Sequence, residues 1–259
     1  MLSYQHGYHA GNLADVQKHA MLAWMLHELG RKDKPLSYLE THAGRGLYDL
    51  AAPEALKTGE AAAGIERVEG WFGPDDPYAR VLAETRRLHG PRAYPGSPLV
   101  AALTLRPQDR LALAELHPRE HEALRRNLSP HGARIERRDG AGMALTLTPP
   151  TPRRGVLLID PSWEVKDEYE TIPALIEKVH RRWNVGILML WYPLLPDARH
   201  AGMLRRLEGA FPKALRHEVR FPPARRGHGM EGSGLLTVNP PWRLEERAAW
   251  LSARFATLG

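Results

Sequence analysis

The chain predicts an α/β fold, a mostly parallel, doubly wound sheet with a terminal antiparallel hairpin and a small helical insert. Three observations lead there. Gly155-Val156-Leu157-Leu158-Ile159 is an unbroken apolar run ending at Asp160, the pattern of a strand buried on both faces of a parallel sheet. Other short apolar runs alternate with helix-length segments, as parallel strands joined by crossover helices do. The last two strand signals, near 215–220 and 235–238, are joined by a glycine-rich loop and read as a hairpin.

Taken in order, residues 4–12 are polar, aromatic and glycine-bearing, hence a loop or arm. Asn12 with Asp15 resembles a capping box, opening a helix over 13–29 that Gly30 closes. Residues 36–40 form a short strand and 41–46 the loop after it. From 47 to about 94, Ala- and Glu-rich pieces at 59–71 and 77–89 look helical and no strand signal appears. Ser97-Pro98 opens the next helix, Ser97 as N-cap and Pro98 in its first turn. Strands at 110–116, 134–138, 154–159 and 185–191 then alternate with helices at 119–128, 169–182 and 201–208. The expected division is 1–46 for the arm, first helix and first strand, 47–95 for a helical insert, and 96–259 for the rest of the core.

At 259 residues the chain is long enough for one large domain with a real core. It has no cysteine, which excludes disulfides and thiolate metal sites. A net charge of +6, from 36 Lys+Arg against 30 Asp+Glu, favours an anionic partner such as nucleic acid. The longest apolar run, 185–195, is too short and too polar to cross a bilayer, and the first residues have no signal-peptide pattern. A soluble, cytoplasmic, monomeric protein is expected.

The chemistry gathers at strand ends, where ligands of open α/β sheets bind. Asp160-Pro161-Ser162-Trp163 ends the central strand. The exocyclic amine of adenine is a poor nucleophile because its lone pair is delocalised into the ring. The Asp160 carboxylate and Pro161 carbonyl could accept its N–H groups and restore that electron density. Trp163 would stack on the base. Glu40-Thr41-His42-Ala43-Gly44-Arg45-Gly46 is an acidic Gly-x-Gly loop, neither the dinucleotide fingerprint nor a Walker loop. It suits an adenosine-bearing sulfonium cofactor without phosphates, and Gly44 lets backbone approach it. Glu115 ends the next strand, where ribose hydroxyls are held. Asp139-Gly140 follows the next, Asp139 to accept from the cofactor's adenine amine and Gly140 to offer an N–H. Alone, each has a plainer reading, as a solvated acid or an Asp-Gly turn. The ordered set points to an S-adenosyl-L-methionine-dependent methyltransferase acting on an amine. Asn239-Pro240-Pro241-Trp242 is a closer match to an amine-methylating tetrapeptide, but it follows the last strand and reads as a strand exit.

Several stretches together resemble a known family. They are Met1-Leu2-Ser3-Tyr4-x-His6-x-x-His9-Ala10-Gly11-Asn12-x-Ala14-Asp15-Val16-x-Lys18-His19, Thr41-His42-Ala43-Gly44, Tyr94-Pro95-Gly96-Ser97-Pro98, Glu115-Leu116-His117-Pro118, Leu190-Trp191-Tyr192-Pro193 and Val238-Asn239-Pro240-Pro241-Trp242. The chain resembles, nearly end to end, the ribosomal RNA large subunit methyltransferase J family, 23S rRNA (adenine(2030)-N(6))-methyltransferase. The resemblance implies a Rossmann-like class I methyltransferase with a helical subdomain after the first strand. It also implies cofactor contacts at His19, His42, Ser97, Glu115, Asp139 and Gly140, catalysis by Asp160, and Tyr4 against 23S rRNA. Ser162 departs from the family, which usually has a second proline there and then tyrosine.

Lys18 is either a solvated helix charge or reaches the methionine carboxylate. Arg225 and Arg226 are solvated loop charges or grip phosphate. His6, His9, Asp15 and His19 do not have the spacing of a metal site, and none is expected. The rival functions are DNA adenine or protein glutamine methylation, and a non-catalytic nucleic-acid-binding protein on a methyltransferase scaffold.

Overall fold

The computed structural model describes residues 6–223 and 229–258. Helix α1 (Leu13–Gly30) leads into β1 (Ser37–Glu40). The next segment holds β2 (Leu47–Asp49), α2 (Pro53–Thr58), α3 (Glu60–Ala63), α4 (Ile65–Val68), α5 (Pro77–His89) and β3 (Ala93–Pro95). Strand and helix then alternate through α6 (Ser97–Thr104), β4 (Arg110–Ala114), α7 (Pro118–Leu128), β5 (Arg134–Glu136), α8 (Gly140–Leu147) and β6 (Gly155–Ile159). The chain ends with α9 (Glu168–Arg182), β7 (Ile187–Leu194), α10 (His200–Ala210), β8 (Leu215–Arg220), β9 (Gly232–Val238) and α11 (Leu244–Phe255).

Seven strands form one sheet in the order β5-β4-β1-β6-β7-β9-β8. β1 lies between β4 and β6, both parallel to it, with Glu40 opposite Leu113 and Leu158. Among the described residues β9 is the strand that runs opposite to the rest, so the expected mostly parallel sheet with a closing hairpin is what forms. Side chains alternate across the sheet as the strand period of two requires. Tyr38, Leu158 and Met189 join a core with α1, α6 and α11, whereas Leu39, Ile159 and Leu190 join one with α8, α9 and α10. Among the described residues no helix is long and apolar enough to cross a membrane.

Helix α1 is buried almost all round over its first fourteen residues, which include Asp15, Gln17, Lys18 and His19. Its far end is held from the sheet. Arg106 donates to the carbonyls of Gly30 and Lys32, both at 2.8 Å, and Arg154 donates to that of Leu29. These cations meet the negative end of the helix dipole and satisfy carbonyls that have no partner within the helix.

The segment between β1 and α6 departs from expectation in two ways. β2 and β3 pair antiparallel and bring its two ends together, although three-residue strands are too short to show an alternation. The helix expected over 59–71 is broken into short turns at Gly59 and Gly64. At Gly64 the backbone of the arm passes so close that a Cβ would lie 2.1 Å from the Gly11 carbonyl oxygen. Ile65 N–H also donates to that oxygen at 2.8 Å. The sequence pattern does not announce α8 or α11.

Helix α11 is tied back to α5 by a shielded ion pair. Arg247 donates to both oxygens of Asp76 at 2.7 and 3.2 Å and lies over the ring of Trp250. Asp76 also caps α5 through Tyr78 N–H at 2.9 Å. Arg247→Ala leaves this carboxylate in a low-dielectric seam without its cation. The expected loss is about 3 kcal/mol, read as a lowered urea midpoint, whereas Arg205→Ala, at an exposed site, should stay within about 0.5 kcal/mol of wild type.

Candidate active site

A cavity of about 590 Å³ opens at the carboxyl ends of the central strands, where the first turns of α1 meet the ends of β1, β4, β6 and β7. The sequence builds its polar floor from one helix face. Asn12 Oδ1 accepts from Asp15 N–H at 2.8 Å, which starts α1. Asp15 and Lys18 sit one turn apart and so share a face. The Asp15 carboxylate accepts from Gly11 N–H at 3.0 Å, lies 2.8 Å from His6 Nε2 and pairs with Lys18 Nζ at 3.2 Å.

Lys18 Nζ donates to Asp160 Oδ2 at 2.7 Å, so Lys18 is neither a solvated charge nor free of the strand end. Burial works against the ammonium, but the charges of Asp160 and Asp15 outweigh it and hold the lysine well above its ordinary range. Burial would likewise raise Asp15, yet His6, Lys18 and His19 bring it well below the usual carboxylate value. The neighbouring His19 is pulled down to about 3 by burial and is a neutral ring at physiological pH. Its Nδ1 is 3.1 Å from Tyr94 Oη. Among the described residues its buried Nε2 has no hydrogen-bond partner, with Asp15 Oδ1 3.7 Å away.

The opposite side of the cavity is made by backbone turned toward acids. Gly44 takes a φ of +59°, and its N–H donates to Glu115 Oε2 at 2.8 Å. His117 N–H donates to Glu115 Oε1 at 2.7 Å, so both carboxylate oxygens are aimed by the main chain. Burial pushes Glu115 up from its ordinary value. Gly140 opens α8 against the loop after β1, where any Cβ would lie 2.1 Å from the Thr41 carbonyl oxygen. Asp139 caps α8 through Gly142 N–H at 2.7 Å. His42 lines the cavity with its Nδ1 2.7 Å from Thr41 Oγ1.

Three findings identify the chain. A family model described as "Ribosomal RNA large subunit methyltransferase D, RlmJ" matches residues 33–257. A protein of Escherichia coli K12 named ribosomal RNA large subunit methyltransferase J is 40% identical, covering 100% of this chain and 96% of its own. A protein of the same name from Haemophilus influenzae is 40% identical over 95% of this chain and 89% of its own. The chain belongs to this family. The crystal structure of protein LPL1258 from Legionella pneumophila is 35% identical, with a TM-score of 0.84 over 96% of this chain and 93% of that one.

In this methyltransferase the cavity brings together Lys18, His19, His42, Gly44, Ser97, Glu115, Asp139, Gly140, Asp160, Pro161 and Trp163. Tyr4, Arg225 and Arg226 lie outside the described residues. Ser97 does not cap α6. Gly96 holds that position, and the Ser97 hydroxyl donates to Glu40 Oε1 at 2.5 Å. Trp163, expected as a stacking face, is 7% exposed, with its ring centroid 4.6 Å from that of Tyr169. The Asn239-Pro240-Pro241-Trp242 exit lies at the other end of the sheet, because β9 is antiparallel and Val238 pairs with Leu188 near the start of β7.

Sequence reasoning missed the Asp15–His6 pairing that supports Lys18, and the contributions of Trp191, Pro193 and Met230 to the wall. The apolar residues signal nothing until β7 is known to lie beside β6. It also placed Glu40 in the cofactor loop, whereas Glu40 is fully buried beneath it and accepts from Tyr38 Oη at 2.8 Å as well as from Ser97. Burial pushes Glu40 up to about 8. The unfolded chain ionises near 4.5 and the folded chain only near 8. Stability therefore falls as pH rises through that window and is flat above it. Glu40→Gln, which copies the neutral acid, should gain stability relative to wild type between pH 4.5 and 8, measured by denaturant unfolding at several pH values. Parallel curves would mean that Glu40 is ionised in the folded protein.

Proposed function

We propose that this chain transfers a methyl group from S-adenosyl-L-methionine to the exocyclic N6 of an adenine in 23S ribosomal RNA, adenine 2030 by the family resemblance. The observation that carries the reading is the Asp160 carboxylate, held through one oxygen by Lys18 in a cavity whose other side is lined by Glu115, Asp139 and Gly140. Membership of a family described as ribosomal RNA methyltransferases supports the substrate class. The proposed layout treats residues 47–95 as an insert on a methyltransferase core.

The residues present fit the cofactor. Glu115 is aimed by two backbone N–H groups and keeps lone pairs for a pair of vicinal hydroxyls. Asp139 and the Gly140 backbone would take the adenine, with His42 and Ser97 lining the same cavity. His19 Nε2 is a buried polar atom with no partner among the described residues, suited to the methionine end. When bound, the cofactor supplies an electrophilic methyl group on a sulfonium.

The target base is drawn from its stack into the cavity. Asp160 and the Pro161 carbonyl accept the two amine N–H groups and orient the nitrogen lone pair. Asp160 then takes the proton released on methylation, directly or through water. Lys18 keeps the carboxylate in place, and Trp163 completes the wall behind it. Ser162 accepts from Glu164 N–H at 3.5 Å, which closes the turn after Pro161 and suits a spacer. Tyr4, Arg225 and Arg226 are proposed contacts for the RNA.

Methyl transfer from labelled cofactor to RNA, DNA and protein separates this reading from its rivals. Label in 23S rRNA that maps to an adenine N6 is expected, and label confined to DNA or protein would overturn it. Asp160→Asn should lower kcat by roughly 10²–10⁴-fold while leaving cofactor affinity within a few-fold. Glu115→Ala should raise the cofactor dissociation constant about tenfold by calorimetry, for about 1.5 kcal/mol of charged hydrogen bonding. An unchanged constant would remove Glu115 from the ribose.

A further inference from the structure

We infer that Trp191, midway along β7, is the surface on which the target base stacks, with Trp163 serving to brace it. This deepens the proposed adenine methylation and rests on that reading. Strand β7 is central, and every one of its residues is buried except Trp191. An indole with open surface in the middle of such a strand needs a reason, because burying it would be favourable. Its open part lines the same cavity as Asp160.

The geometry sets Trp191 beside the reacting carboxylate. Ile159 of β6 pairs with Leu190 of β7, so Asp160 and Trp191 are the next residues along two adjacent parallel strands. Lys18 Nζ, 2.7 Å from Asp160 Oδ2, lies 5.6 Å from the Trp191 ring centroid. The indole N–H is already used, donating to Ser233 Oγ at 2.8 Å. What the ring offers the cavity is therefore carbon surface, suited to stacking rather than hydrogen bonding. Pro193, Leu195 and Met230 continue that apolar wall. Glu115 and Asp139, the acids that suit an adenosine cofactor, are on the other side of Asp160, at the ends of β4 and β5.

Trp163 is differently placed. Its ring is covered by Tyr169, and its Nε1 donates to the Trp191 carbonyl at 3.2 Å. That bond fixes the backbone that carries Trp191.

The test uses the full chain, 23S rRNA and the cofactor. Trp191→Leu should raise KM for RNA roughly tenfold, the usual scale for losing one base–aromatic stack, with the cofactor dissociation constant within twofold. Trp191→Phe, which restores a ring without the N–H, should return KM to within about threefold of wild type. With 2-aminopurine at the target position, emission at saturating RNA should be brighter in Trp191→Leu than in wild type, because the indole no longer quenches the base. An unchanged KM in Trp191→Leu, or a Phe variant as poor as Leu, would overturn the inference and leave Trp191 a packing residue. If Trp191→Leu loses cofactor binding and hence its fold, Ser233→Ala decides. Releasing the indole anchor should raise KM about threefold, and no change counts against the inference. If wild type puts no label into RNA, the reading of function fails instead, whichever way these variants behave.

Discussion

The bond from Lys18 to Asp160 joins the two halves of this structure. It crosses from the first turns of α1 to the end of β6, elements far apart in sequence. A buried ion pair is a poor source of net stability, since removing both charges from water costs about as much as their attraction returns. Its value here is positional. Lys18 fixes one oxygen of Asp160, and Asp15 beneath it supplies a second negative charge that keeps the lysine protonated. His6 and Gly11 N–H hold Asp15 in turn, so the arm before α1 belongs to the same network.

That dependence explains why so much of the chain converges on α1. Arg106 and Arg154 seize its far end from the bases of the neighbouring strands. The segment between β1 and α6 grips the arm that precedes it. Glu60 is buried 2.9 Å from His9 Nδ1 and accepts from Asn12 Nδ2 at 3.1 Å, while Thr58 Oγ1 donates to the Tyr8 carbonyl at 2.6 Å. A helix carrying a lysine that must meet a carboxylate within a few tenths of an ångström cannot be left to slide. The same segment is tied to the C-terminal helix through Asp76 and Arg247.

Burial divides the titratable groups of the site into two sets. Lys18 and Asp15 stay charged because each has an opposite charge in contact. His19 and Glu40 lack enough compensation and are driven toward their neutral forms. Charge is thereby concentrated along one line from Asp15 to Asp160, with neutral hydrogen-bonding groups around it.

Much of the fold could be read from the sequence, because its signals are local. The apolar run 155–159 stops at Asp160, Asn12 and Asp15 mark the start of α1, and alternating strand and helix patterns order the parallel sheet. The strand-end acids and glycines named the chemistry for the same reason, since chain order alone sets them at one edge of a parallel sheet. Tertiary structure decided what depends on contact between distant residues. Lys18 could be placed only once α1 was seen to cross the end of β6. Glu40 left the loop for the interior because Tyr38 and Ser97 were there to receive it. The resemblance of Asn239-Pro240-Pro241-Trp242 to a catalytic tetrapeptide lost its meaning when β9 reversed direction and carried it to the other end, where Trp242 stands 88% exposed. A residue's type is written in the sequence, but the side it faces and the charge it meets are set by chain segments too far away for any local pattern to include.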